Sequence, residues 1–80
     1  MLEANLIRYV IIDILSSQEY SLAGLAYHIN CPEDVIYEIA MGINTNPSLI
    51  LSERLLELHR LVRPDMYLNL IKKSTFDDKV

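Results

Sequence analysis

The sequence predicts a single all-α domain of five short helices, and three observations predict this class. Apolar residues recur at helical spacing in several segments of the 80-residue chain, as they do on amphipathic helices. Proline and glycine separate these segments, because both residues interrupt helices. The connections are brief and leave no room for a sheet. We expect residues 1–73 to form the domain and residues 74–80 to form a frayed tail.

The first two helices are predicted by an apolar stripe and by a capping residue. The first should cover about residues 2–16, and the second about residues 22–29. Ser21 is the expected N-cap of the second helix, because its hydroxyl can accept a hydrogen bond from a first-turn amide. Ile12 lies away from the stripe, either as an isolated surface residue or as a contact with a second copy. The stripe itself consists of Leu6, Ile7, Val10, Ile11, Ile14 and Leu15.

The third helix is predicted to begin at a proline and to end at a glycine. Pro32 is expected at its first position, where the missing N–H of proline has no cost. Glu33 and Asp34 follow, in the first turn, where carboxylates complement the helix dipole. Gly42 is the expected C-cap residue.

The fourth and fifth helices are also predicted from prolines. A loop over residues 43–46 ends at Asn46, which should cap a fourth helix that begins at Pro47 and ends near residue 62. Pro64 then begins a fifth helix that ends near residue 73, because proline disfavours a helical conformation at the residue before it.

The charge of the chain is unevenly distributed. The net charge is −4 and 51% of the residues are apolar. Residues 1–46 contain six acidic residues and one basic residue, whereas residues 47–80 contain five acidic and six basic residues. A nucleic-acid-binding protein usually presents a basic patch, but here the acidic half contains the second and third helices. The apolar content favours a homodimer, whose interface we predict at Met66, Tyr67 and Leu70 of the fifth helix.

The residues that carry chemistry do not indicate an enzyme. Cys31 is the only cysteine, so no intramolecular disulfide or cysteine-based metal site is expected. His28 and His59 are interpreted as exposed or half-buried helix residues, and no nucleophile–base pair is evident. Cys31 precedes a predicted helix N-terminus that could lower its pKa, although a small apolar turn residue is the simpler interpretation. We therefore expect no cofactor, no metal, no small-molecule substrate, no membrane segment and a cytoplasmic location.

The stretch LAGLAYHINCPEDVIYEIAMG resembles the helix-turn-helix of the phage-repressor family, of the Cro-like or lambda-repressor-like type. In that family a small residue of the second helix lets the third helix pack closely, and Ala26 occupies that position. A turn residue that tolerates a left-handed conformation follows four positions later, where Asn30 stands. Ile36 and Ile39 occupy the two buried positions of the third helix, and Gly42 matches the family's helix-ending glycine.

The resemblance implies a helix-turn-helix over residues 21–42 and a DNA-binding transcriptional regulator that acts as a dimer. In that arrangement the third helix enters the major groove of double-stranded DNA, and the following loop contacts the backbone. The residues predicted to contact DNA or a partner are Ser21, Leu22, Glu33, Asp34, Tyr37, Glu38, Asn44, Thr45 and Asn46.

Two departures from the family pattern keep a second hypothesis open. The outward positions of the predicted third helix include Glu33, Asp34 and Glu38 but no basic residue, and Leu22 stands where the family often has a glutamine that meets the DNA backbone. A protein-interaction module that uses this scaffold to bind a basic protein surface would fit these residues. A third hypothesis is one domain of an assembly whose DNA contacts come from another chain. The simplest alternative is that these acids only complement the helix dipole or face solvent.

Overall fold

The computed structural model describes the backbone of residues 4–79 and the side chains of residues 5–72. The described backbone forms five helices and no strand, which confirms the all-α class for this part of the chain. The helices are α1 (Ala4–Ser16), α2 (Leu22–Ile29), α3 (Glu33–Ala40), α4 (Leu49–Val62) and α5 (Pro64–Lys79). The predicted start of the first helix, near residue 2, lies outside the described residues.

Two of the three predicted proline starts are wrong by one or two residues, whereas α5 begins at Pro64 as predicted. Pro32 has an extended conformation, with ψ of 149°, and is the N-cap of α3 rather than its first helical residue. Pro47 precedes the cap of α4. The Oγ atom of Ser48 accepts a hydrogen bond from the Leu51 amide at 3.1 Å, so Ser48 is the N-cap, and Asn46 is not. The serine after the proline satisfies a first-turn amide, and the helix begins beyond it.

α5 is longer than the sequence predicted. It continues to Lys79, past the expected end near residue 73 and into the segment that was predicted to be a frayed tail. The side chains of α5 are described only as far as Lys72.

The hydrophobic core is centred on α1, which packs against both α3 and α4. α2 packs on α3 and α4, and α5 packs on α4. The predicted stripe of α1 supplies four fully buried aliphatic residues, whereas Ile12 faces outward as expected. The buried hydrophobic residues are Ile7, Val10, Ile11, Ile14, Leu25, Ala26, Ile29, Ile36, Ile39, Leu51, Leu55 and Leu58.

A polar cluster joins the end of α4 to α1 at the edge of this core. The Nε2 atom of His59 lies 2.8 Å from Oδ2 of Asp13. Arg63 donates to the same carboxylate through Nε at 3.0 Å and through Nη2 at 3.2 Å. His59 is fully buried, so its prediction as an exposed or half-buried residue was wrong, because the Asp13 carboxylate supplies a polar partner within the core.

The cluster also determines the charge state of its carboxylate. The hydrogen bond from Arg63 lowers the pKa of Asp13 below its ordinary value of 3.8, and the hydrogen bond with His59 acts in the same direction against the opposing effect of burial. Arg63 is the C-cap of α4 and immediately precedes α5. The cluster therefore attaches the α4–α5 junction to α1.

Candidate interaction site on the third helix

The turn between α2 and α3 has the backbone conformation that the sequence predicted. Asn30 is left-handed, with φ of 67° and ψ of 52°, which asparagine tolerates better than most residues. Its amide donates to the Tyr27 carbonyl at 3.2 Å, and the Cys31 amide donates to the Ala26 carbonyl at 3.0 Å. These bonds satisfy the carbonyls at the end of α2 and direct the chain into α3.

The predicted contact positions between these two helices are buried. Ala26 of α2 and the pair Ile36 and Ile39 of α3 are each at most 2% exposed. Because the side of α3 that carries the two isoleucines faces the core, the opposite side faces solvent. This burial explains which residues of α3 remain available for a partner.

The exposed side of α3 is a continuous surface that we call the acidic face: Glu33, Asp34, Tyr37, Glu38 and Met41. Asp34, Tyr37, Glu38 and Met41 stand at positions i, i+3, i+4 and i+7, a spacing that places side chains next to each other on a helix. Tyr37 is 48% exposed and Met41 is 57% exposed. α3, all of whose side chains are described, carries no basic residue.

A glycine with a left-handed conformation follows the acidic face at the C-terminal end of α3. Gly42 has φ of 78°, a conformation that favours glycine, and it follows directly after the C-cap residue Met41. The Glu38 carbonyl accepts hydrogen bonds from the amides of Ile43 at 2.8 Å and Asn44 at 2.9 Å. The prediction of Gly42 as the C-cap residue was wrong by one position, because Met41 is the C-cap and Gly42 follows it in a left-handed conformation.

Each of the four arginines donates a hydrogen bond to an acceptor of this chain. Arg8 donates through Nε to the Ala40 carbonyl at the end of α3, at 2.9 Å. Arg54 donates through Nη1 to the Ile29 carbonyl at 3.2 Å. Arg60 pairs with Glu57 on the surface of α4, and Arg63 pairs with Asp13. The positive charges of the arginines are thus already partly engaged by the fold itself.

The other residues predicted to contact DNA or a partner have different environments. Ser21 caps α2, as predicted, by accepting a hydrogen bond from the Gly24 amide at 3.0 Å. Leu22 is half-buried and packs against the core. The Oδ1 atom of Asn44 accepts a hydrogen bond from the Asn46 amide at 2.9 Å, while Thr45 and Asn46 are exposed. Glu33, Asp34, Tyr37 and Glu38 therefore form one surface, and Ser21 and Leu22 take part in folding.

The residues predicted for the dimer interface are all half-buried. Leu70 packs against the core, and the Tyr67 ring lies with its centroid 6.2 Å from that of His59. Met66, Tyr67 and Leu70 are thus partly covered by the chain's own core.

Tyr27 is an exposed residue near the turn that was not predicted as a contact residue. It is 88% exposed and lies on α2, and with Pro32 and Cys31 it lines a shallow depression beside the turn. The signal that could have identified it is its position one residue after the buried Ala26, on the outer side of α2. An exposed tyrosine offers both an apolar ring and a hydroxyl to a partner.

Cys31 is a free, half-buried cysteine at the turn between α2 and α3. Burial raises the pKa of the Cys31 thiol, with a smaller opposing effect of Arg54. Within the described part of the chain, no group of three histidine, cysteine or acidic residues could hold a metal ion. No helix in that part is long and apolar enough to cross a membrane.

Comparisons of the chain with protein-family models, with curated proteins and with solved structures found no match. The resemblance to the phage-repressor family therefore stays a prediction, and the functional argument depends on the geometry and charge of the acidic face.

Proposed function

We propose that this chain is a protein-interaction module on a helix-turn-helix scaffold of the lambda-repressor-like type, and that its acidic face binds a basic segment of another protein. The observation that carries the proposal is the composition of that face, with three carboxylates and no cation on the exposed side of α3. The left-handed turn at Asn30 and the buried Ala26 support the scaffold, which by itself does not determine the ligand.

The electrostatics of the acidic face oppose binding to a duplex. Double-stranded DNA carries about one negative charge per 1.7 Å of helix axis, and proteins gain affinity by neutralising phosphates with lysine and arginine. Glu33, Asp34 and Glu38 would instead bring three negative charges to the phosphates. Arg8, which reaches the end of α3, already donates to the Ala40 carbonyl.

The same face is complementary to a basic segment. Carboxylates accept charge-assisted hydrogen bonds from lysine and arginine, and a guanidinium can form two such bonds in parallel. Tyr37 lies between Asp34 and Glu38 along the exposed side, so an arginine that pairs with either acid can also stack on its ring. Met41 adds a flexible apolar contact at the end of the face. Aromatic residues and methionine are enriched in protein interfaces.

A DNA-binding regulator is the second candidate, and the exposure of α3 favours it. The entire outer side of α3 is accessible, and the exposed Thr45 and Asn46 follow it, where amides and hydroxyls could bond to phosphates. A carboxylate can also accept a hydrogen bond from cytosine N4. This candidate requires that the chain bind a duplex although three acids lie close to the phosphates.

One pair of titrations distinguishes the two candidates. The ¹⁵N-labelled chain is titrated in parallel with an arginine- and lysine-rich peptide and with a mixed-sequence DNA duplex, at low and at physiological salt. We expect the peptide to shift the amide resonances of residues 33–41, and the duplex to shift none at either salt concentration. Binding of the duplex with a steep loss of affinity at higher salt, together with no response to the peptide, would reverse the assignment.

A matched pair of variants separates a specific face from general charge attraction. Asp34→Asn with Glu38→Gln removes two acids of the acidic face. Glu19→Gln with Asp65→Asn removes two acids elsewhere, one of them also in the first turn of a helix. We expect the first variant to weaken peptide binding about tenfold, since each exposed ion pair contributes up to about 1 kcal/mol, and the second to change it by less than about twofold. Equal losses in both variants would contradict a specific site.

A further inference from the structure

We propose that the outer side of α4 binds a second copy of this chain, with the two α4 helices antiparallel about a two-fold axis. The residues of this surface, the α4 stripe, are Ile50, Arg54, Glu57 and Leu61. The proposal does not depend on the function proposed for α3, because the two surfaces share no residue.

The α4 stripe is a straight row of exposed side chains. Its residues are separated by four, three and four positions, a spacing that keeps them on one side of a helix. Ile50 is 63% exposed and Leu61 is 65% exposed, and they lie about 16 Å apart along the axis. The stripe therefore has a large apolar residue at each end and the charged pair Arg54 and Glu57 between them, and the exposed Glu53 lies beside it on the same groove.

An open groove runs along the α4 stripe. Its volume is about 630 Å³, and it lies between α4 and the C-terminal end of α2, where His28, Ile29 and Asn30 form one wall. Leu58, which is 4% exposed, belongs to the other wall. The groove gives a side chain that leaves one α4 helix an apolar surface to contact on the other copy.

The α4 stripe has the same pattern in both directions. Read from either end, the order of these four residues is apolar, charged, charged and apolar, and the midpoint falls between Leu55 and Leu56. Glu53 lies outside this symmetry, because its counterpart about the midpoint is the buried Leu58. An antiparallel two-fold arrangement about that midpoint places Ile50 opposite Leu61 of the second copy, and Arg54 opposite Glu57 of the second copy. A two-fold interface repeats each contact, so one stripe yields two apolar contacts and two pairs of opposite charge.

The charges on the α4 stripe remain available for such pairs. Arg54 uses Nη1 to donate to the Ile29 carbonyl, and a guanidinium has five N–H donors. Glu57 pairs with Arg60 of its own helix, and a carboxylate can accept several hydrogen bonds. In the dimer each Glu57 would lie between Arg60 of its own helix and Arg54 of the second copy. This charge complementarity identifies a second copy as the partner.

The size of the contact predicts a weak dimer. A standard stable interface buries about 1,600 Å² in total, more than one pair of helix faces provides. Association should therefore depend on concentration, and sedimentation velocity over a series of concentrations can measure it. The wild-type chain should change from monomer to dimer within that series. A chain that sediments as a monomer throughout would overturn the proposal.

Charge reversal tests the antiparallel arrangement directly. Arg54→Glu places two acids opposite each other at both pairs, and Glu57→Arg places two arginines there. Each variant alone should raise the dissociation constant of the dimer about tenfold or more, because opposed like charges are unfavourable. An equimolar mixture should associate again, since the heterodimer contains a glutamate opposite an arginine at both pairs. Undiminished association of the single variants, or no recovery in the mixture, would overturn the proposal.

A second pair of variants tests the apolar ends without altering these charges. Leu61→Lys should weaken association about tenfold, whereas Leu68→Lys should leave it unchanged. Leu68 is a comparably exposed leucine, at 53%, but it lies on α5. Circular dichroism establishes that both variants remain folded. Equal effects of the two variants would place the contact elsewhere on the surface and overturn the proposal.

Discussion

The acidic face of α3 and the α4 stripe are both exposed helical surfaces, but they differ in the order of their charges. The acidic face presents three carboxylates around Tyr37 and Met41. The α4 stripe presents one arginine and one glutamate between Ile50 and Leu61. Two acidic faces would repel each other, whereas two α4 stripes attract each other when they are antiparallel.

Charge order can select a partner when apolar exposure does not. Each surface contains two large exposed hydrophobic side chains, so hydrophobic burial favours neither a foreign partner nor a second copy. A surface of one sign needs a partner of the opposite sign, which this chain does not supply from its own α3. A surface whose charges are symmetric about a midpoint is complementary to itself.

The largest expected effect follows from reversing the sign of the acidic face. Asp34→Arg with Glu38→Arg converts two carboxylates into cations beside Tyr37. We expect the affinity for the basic peptide to fall about a hundredfold, since two attractive pairs become repulsive. We also expect salt-dependent binding to duplex DNA to emerge, because the new arginines can contact phosphates. Fluorescence anisotropy with the labelled peptide and with the labelled duplex measures both affinities. Retained peptide binding would mean that another surface holds the peptide.

A second difference is the way in which the two helices are attached to α1. α3 packs on α1 through apolar residues and the hydrogen bond from Arg8. α4 is additionally attached through the buried Asp13 and His59 and the half-buried Arg63. The position of the α4 stripe therefore depends on a titratable group, and that of the acidic face depends mainly on hydrophobic packing.

The next effect is a loss of stability when Asp13 is replaced. Asp13→Asn should reduce the free energy of unfolding by about 2 kcal/mol at neutral pH, because the buried carboxylate accepts bonds from two side chains. Because the pKa of Asp13 is lowered in the folded state, its contribution is complete above the ordinary value of 3.8. It is lost as the pH falls through the lower folded-state pKa.

Thermal unfolding of the wild type and of Asp13→Asn from neutral to acidic pH measures this contribution. The difference between the two proteins should be constant above the ordinary pKa and should shrink below it. Glu53→Gln, which replaces an exposed acid of α4, serves as the control and should show little change. A difference that stays constant down to strong acid would assign the stabilisation to packing rather than to the carboxylate.

The sequence was sufficient for features that depend on local pattern. Periodic aliphatic residues predicted the helices and the buried positions Ile36 and Ile39, and Asn30 has the expected left-handed conformation. The acidic face was predictable for the same reason, since its residues alternate with the buried ones on one short helix. These features need only the helical period and the conformational preferences of single residues.

The features that were missed depend on the path of the chain or on distant partners. Asn46 and Ser48 are both good capping residues on either side of Pro47, and only the conformation of the loop decides between them. Asp13 and His59 are 46 positions apart, so no local pattern indicates their pairing. The α4 stripe becomes recognisable only when the side of α4 that faces the core is known.

The smallest expected effect is the most specific test of the comparison. Combining Arg54→Glu and Glu57→Arg in one chain reverses both charges of the α4 stripe but keeps its symmetry, so each pair again joins opposite signs. We expect the dissociation constant of the dimer to return to within about threefold of the wild-type value, since only the local bonds of Arg54 and Glu57 to Ile29 and Arg60 are lost. Sedimentation velocity measures this recovery. A combined variant no better than either single variant would mean that the charges act within one copy, and that their order does not select the second copy.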